Sequence, residues 1–148
     1  MTNLKTLLKN RDIQEHHSSK SEIDGLKKII ARDLQDAQIQ ELSLDRRFAT
    51  AYNAALTLCR TACMAEGYRV TAKTGHHKVT LAVAEQILGQ ELNRYFALFE
   101  ICRRKRNKVD YDMAEMASSA EVDELLQAVQ DFEKIVFEWL LANHEEYN

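Results

Sequence analysis

Leu44-Asp45-Arg46-Arg47-Phe48-Ala49-Thr50-Ala51-Tyr52-Asn53-Ala54-Ala55-Leu56-Thr57-Leu58-Cys59-Arg60-Thr61-Ala62-Cys63-Met64-Ala65-Glu66 is the stretch on which the fold turns. Phe48, Tyr52, Ala55, Cys59 and then Ala62 or Cys63 recur every three or four residues, so one face of a long helix is apolar. The alanine-rich middle, 49–55, lets a neighbouring helix approach closely. Gly67 follows as the residue able to take the left-handed conformation that ends a helix.

Working outward, the same period recurs on both sides. Upstream, Ile23, Leu26, Ile30, Leu34 and Ala37 form one stripe, with Ser19 or Ser21 as cap and an end expected near Leu42. Before it, residues 1–20 combine a short amphipathic piece (Leu4, Leu7, Leu8) with a polar segment, and a loosely held arm is expected. Downstream, residues 68–75 read as a loop carrying Arg69 and Lys73, and a third helix is predicted over 76–88, closed by Gly89. A fourth runs from Gln90 or Glu91 through the basic residues 103–108. After weakly structured residues 113–119, Ser118 or Ser119 caps a long helix with Val122, Leu125, Val129, Phe132, Val136, Trp139 and Leu140 facing inward.

Length and composition agree with this reading. A chain of 148 residues buries roughly two-thirds of its unfolded surface on folding and has room for one core. Absence of proline, four glycines and few alternating β-branched runs argue against a sheet protein. The expectation is an all-α, up-and-down four-helix bundle over residues 21–148, preceded by the arm at 1–20. Three cysteines and no apolar leader point to reduced thiols in a cytoplasmic protein, and no apolar run approaches the roughly 20 residues a bilayer span needs.

Net charge is only −3, but it is segregated. Five of the six residues 103–108 are cationic: Arg103, Arg104, Lys105, Arg106 and Lys108, with Asn107 between. A positive patch on a mildly acidic body attracts phosphate-bearing ligands. The apolar stripe Leu92, Tyr95, Phe96, Phe99 and Cys102 continues at the helical period into Arg106 and then Val109 with Asp110. Arg103, Arg104, Lys105 and Lys108 fan out around the other faces, where a solvated charge run is the plain reading. Arg106 and Asp110 point inward or toward a partner, so they are either an i,i+4 bridge or a site.

Other chemistry is sparse. Adjacent histidines at 16–17 and 76–77 diverge by about 100° on a helix and do not share a metal readily. Cys59 and Cys63, one turn apart, read as small core residues; no metal and no cofactor is assigned. His76 and His77 follow Gly75 at a helix start, where unpaired backbone N–H groups attract anions, so helix capping and a phosphate contact are both open readings. Gly-rich phosphate loops and hydrolase nucleophile motifs are missing.

Asp45 to Leu56, Glu66-Gly67-Tyr68-Arg69 with Gly75-His76-His77-Lys78, and the segment 103–112, in that order, resemble the HEPN (higher eukaryotes and prokaryotes nucleotide-binding) superfamily. The resemblance covers most of the chain from about Ser21. It implies a helical bundle that forms a homodimer with an Arg-centred motif in the cleft between protomers. It also implies RNA or a nucleotide as ligand, and an antitoxin or a nucleotidyltransferase as a further partner, in a toxin-antitoxin-like system. Ribonuclease members carry an Arg, a polar residue and a His four to six positions on. Arg106 and Asn107 match the first two, whereas the later positions give an Arg-Asn-x-x-Asp-Tyr variant with Asp110 and Tyr111.

Metal-independent cleavage by 2′-OH attack needs a base, a cation for the phosphorus oxygens and a proton donor for the leaving oxygen. The resemblance assigns the cation to Arg106 and phosphate orientation to Asn107. Asp110 and Tyr111 complete the candidate catalytic set: Asp110, with an ordinary pKa near 4, is a weak donor at neutral pH and acts either as a base or as a bidentate pin for Arg106, and Tyr111, with one near 10, is a hydrogen-bond donor but a poor base. Two readings therefore stand: an endoribonuclease or RNA-binding dimer, and a non-catalytic module in which Arg106 and Asp110 bridge. Arg103, Arg104, Lys105, Lys108, His76 and His77 are the expected phosphate contacts in the first.

Overall fold

A computed structural model describes residues 3–111 and 116–148, with the backbone alone for 109–111. The chain is mostly helical: α1 (Leu4–Lys9), α2 (Lys20–Asp36), α3 (Leu44–Ala65), α4 (His76–Leu88), α5 (Asn93–Tyr111) and α6 (Ser119–Asn143). A small antiparallel sheet joins β1 (Ile13–Glu15) to β2 (Tyr68–Val70), and 3-10 turns occupy Gln90–Leu92 and Glu145–Tyr147.

Local chemistry starts and stops these helices. Ser19 and Ser118 each accept from a backbone N–H three residues on, while Glu22 and Glu121 reach back to the cap N–H, two complete capping boxes. Ser43 caps α3 in the simpler way, accepting from Arg46. Gly67, at φ 98°, turns the chain out of α3.

The helix α3 is central and packs against α2, α4, α5 and α6. Ala51, Ala54, Ala55 and Ala62 are fully buried, so four neighbours come close to one axis. Its first turn is bolted at both sides. The Asp45 carboxylate accepts from the Ala117 backbone N–H at 2.8 Å, fixing the start of α6. The buried Arg47 Nε donates to the Ala37 carbonyl at 2.8 Å. That second bond accounts for a boundary: α2 ends at Asp36, not near Leu42, because a side chain from α3 claims the carbonyl of the residue that closes α2.

All the predicted inward positions of α2 and α6 are buried except Trp139, which is half-covered. Phe132 of α6 meets Tyr95, Phe96 and Phe99 of α5 at ring-centroid distances of 5.6, 5.7 and 5.1 Å, the last two edge-to-face. A second cluster joins Ile23 and Leu26 to Met64, Leu140 and Tyr147. Tyr147 donates its hydroxyl to the Ser18 carbonyl at 2.9 Å, which closes the chain's end onto the start of α2.

Two expectations need correction. The arm is not loose: Leu7 is 7% and Ile13 1% exposed, and β1 lies in register with β2, Ile13 opposite Val70, Gln14 opposite Arg69 and Glu15 opposite Tyr68. Residues 68–70 are accordingly a strand, not part of a loop. Three-residue strands are too short for periodicity to reveal, and their hydrogen bonds come from a segment more than 50 residues away.

Candidate functional site

The groove of interest lies where the start of α4 meets the basic end of α5. It encloses about 1060 Å³ and is lined by residues 72–78 on one side and by Arg103, Arg106, Asn107 and Lys108 on the other. Five cations line it: Lys73, Lys78, Arg103, Arg106 and Lys108. No carboxylate is among the described lining residues. On a chain of net charge −3 this is a locally positive surface, partly offset by Glu100 paired with Arg103 and Asp12 paired with Lys73.

Each wall has a local cause. Gly75 holds φ 85° as the N-cap of α4, a left-handed conformation that suits glycine, and it has no side chain with which to cap the first-turn N–H groups. The positive end of α4 therefore opens on the groove. His76 is fixed by its Nδ1 donating to the Lys73 carbonyl at 3.0 Å, which leaves Nε2 for other partners. The two imidazoles stand edge to face with centroids 4.5 Å apart.

Tyr52, fully buried in α3 and outside the groove lining, packs behind both walls. Its ring lies 6.1 Å from that of His77 and 6.0 Å from the Arg106 guanidinium carbon. Its hydroxyl has no hydrogen-bond partner among the described residues, and burial raises its pKa well above the usual phenol range.

The same surroundings act oppositely on His77. Burial is the largest cause, followed by the charges of His76, Arg106 and Arg103, and together they lower its pKa from 6.5 to about 4. His77 is therefore neutral at pH 7, with one ring nitrogen free to accept a proton. The unfolded chain takes up this proton more readily than the folded one, so stability falls as pH drops from 6.5 toward 4. An anion in the groove opposes Arg103 and Arg106 and moves the His77 pKa back up. Ring-proton NMR titration with and without inorganic phosphate measures this directly: an upward movement is expected, and an unchanged midpoint at saturating phosphate counts against an anion site.

The predicted residues divide among several places. His76, His77, Arg103, Arg106, Asn107 and Lys108 meet in the groove, although they come from segments some 30 residues apart. Arg103 is also held by Glu100, which accepts from Nη2 at 2.6 Å and from Nε at 3.0 Å. This pairing lowers the Glu100 pKa and raises that of Arg103. Arg104 is exposed, its Nε 3.4 Å from the same carboxylate. Lys105 points away from the groove, pairing with Glu121 in the capping box of α6 and standing 6.0 Å from the Phe48 ring centroid. Asp110 and Tyr111 fall on the last turn of α5, and their side chains lie outside the described residues.

Three contributors were not among the expected contacts: Tyr52, Lys73 and Lys78. Lys78 stands next to the histidines in sequence and could have been found by its helical phase. Lys73 could not, since Asp12 from the arm fixes it at 2.9 Å. All three cysteines are free and buried, and burial pushes Cys63 and Cys102 up to about 12. Among the described residues, no group of three or more His, Cys, Asp or Glu could hold a metal ion, and no helix is long and apolar enough to cross a membrane.

Comparison with protein-family models, with curated proteins and with solved structures finds no match.

Proposed function

We propose that this chain is an RNA-directed protein of HEPN type, a four-helix bundle acting as a homodimer, whose groove between α4 and α5 binds the RNA backbone and cleaves it without metal. The carrying observation is the neutral His77 in a groove lined by five cations, of which Arg103 and Lys73 are held by carboxylates outside the lining. The HEPN-like motif lacks its histidine on α5, and α4 supplies one beside Arg106 instead.

The chemistry follows from these groups. His77 accepts the 2′-OH proton as that oxygen forms a bond to phosphorus. Arg106 receives the negative charge gathering on the non-bridging oxygens. The bond from phosphorus to the 5′-oxygen then breaks, and His76, whose Nε2 is left open by the Nδ1 bond to the Lys73 carbonyl, returns a proton to that oxygen. The products are a 2′,3′-cyclic phosphate and a free 5′-hydroxyl. A pKa of about 4 makes His77 a weak base in the empty groove, and the phosphodiester's own charge raises it as RNA binds.

The test is cleavage of single-stranded RNA by protein treated with EDTA, with the ends identified chemically. Cyclic-phosphate ends are expected. RNA left intact over hours removes catalysis and leaves binding. Mass in solution should be twice 17.1 kDa, and a monomer at micromolar concentration removes the dimer.

A further inference from the structure

Behind His76 and His77 lies a second, more enclosed cavity of about 380 Å³, bounded by α3, α4 and the small sheet. The two imidazoles line both cavities, so the basic groove and this pocket adjoin at them. Its volume is at the low end for small-molecule sites, the scale of one nucleoside rather than a longer ligand.

The walls differ in character from the groove. Leu56, Cys63 and Met64 supply buried apolar surface, which a bare phosphate does not need and the face of a flat ring does. Arg60 and Arg69 are exposed at the edge, and among the described residues neither has an ion-pair partner. Gln14 sits directly opposite Arg69 across the β1–β2 ladder, which places an amide and a guanidinium side by side on one face of the sheet. The Thr71 Oγ1, also on the lining, is buried with no hydrogen-bond partner among the described residues.

We infer that this cavity is a nucleobase pocket for guanine, serving the nucleotide whose phosphate lies in the adjoining groove; it rests on the phosphate-binding reading of that groove. Guanine presents two acceptors, O6 and N7, on one edge, the pattern that a guanidinium fork matches with two N–H donors. Arg69 makes that contact, with Arg60 adding a second cation. The Gln14 carbonyl accepts from the N1 and N2 hydrogens of the ring. Adenine would set its N6 amino group against the same arginine donors, which repels instead of pairing. The small sheet thus has a purpose beyond pinning the arm: it brings Gln14 and Arg69 together from distant parts of the chain.

Four small probes separate the pocket from the groove: guanosine, ribose 5-phosphate, GMP and AMP, each titrated by NMR or calorimetry into the full-length protein. GMP is expected to bind at least tenfold more tightly than ribose 5-phosphate, with AMP within threefold of ribose 5-phosphate. Arg69→Ala should erase the GMP advantage and leave ribose 5-phosphate unchanged, and Arg60→Ala, also an exposed position, should reduce the advantage. Equal affinity for GMP and ribose 5-phosphate in the wild type overturns the base pocket while the groove stands. Guanosine binding without any ribose 5-phosphate binding has the opposite meaning, a pocket without the groove. Failure of both guanosine and GMP overturns the pocket whatever ribose 5-phosphate does. Pentaribonucleotides with one central G or only U then distinguish the source: a tenfold preference for G assigns the pocket to RNA, and none alongside a GMP preference assigns it to a free nucleotide.

Discussion

Arg106→Ala is expected to lower metal-free RNA cleavage by about 10²- to 10³-fold, the usual loss when one preorganised donor to a developing oxyanion is removed. Arg106 lines the groove opposite His77 and stands over the Tyr52 ring, so its guanidinium is held in place before any substrate arrives. Arg104→Ala is the control, because Arg104 belongs to the same basic run but projects into solvent outside the groove. It should cost no more than about threefold, the scale of a screened surface charge. Equal losses from the two variants would mean that the run acts as a diffuse field and that there is no site. Arg106→Lys covers the case in which the alanine variant is destabilised, since it keeps the charge and loses the planar fork. A large loss there, with an unchanged melting temperature, locates the effect in geometry.

Phe132→Ala should cost about 3–5 kcal/mol of stability, the range for removing a large aromatic from a packed core. Phe132 is fully buried and lies within 6 Å, centroid to centroid, of three aromatic rings on α5. Those contacts hold α5 against α6 and so set the height of the basic wall opposite α4. A domain of this size has only about 5–15 kcal/mol in hand, so one such change takes a large share of it. Urea unfolding measures it: the midpoint should fall by about 2 M with the slope unchanged. A shift under about 0.5 M would mean that α5 and α6 are not locked by this cluster. Phe132→Leu, which refills most of the space, should recover a large part of the loss.

The helices could be read from the sequence because their causes are local. Ser118 caps, Gly67 and Gly89 terminate, and the three-four spacing of α6 names nearly all of its buried positions. The exceptions come from long-range contacts. The early end of α2 depends on Arg47 reaching across to Ala37, and β1 and β2 form only because the arm returns to residues 68–70. Neither partner carries a mark in its own neighbourhood.

The two halves of the candidate site were each visible, as a basic run on one helix and a histidine pair after a glycine, but not their meeting. Period and charge along a chain determine which residues are available and which face of a helix they occupy. Packing around α3 decides which faces meet: it sets His77 into the groove with Arg106, turns Lys105 away to Glu121, and brings Gln14 beside Arg69. The protonation state of His77 belongs largely to that second kind of fact: burial is the first cause of its lowered pKa and two arginines from another helix add to it, and only the contribution of the adjacent His76 could be read from the chain.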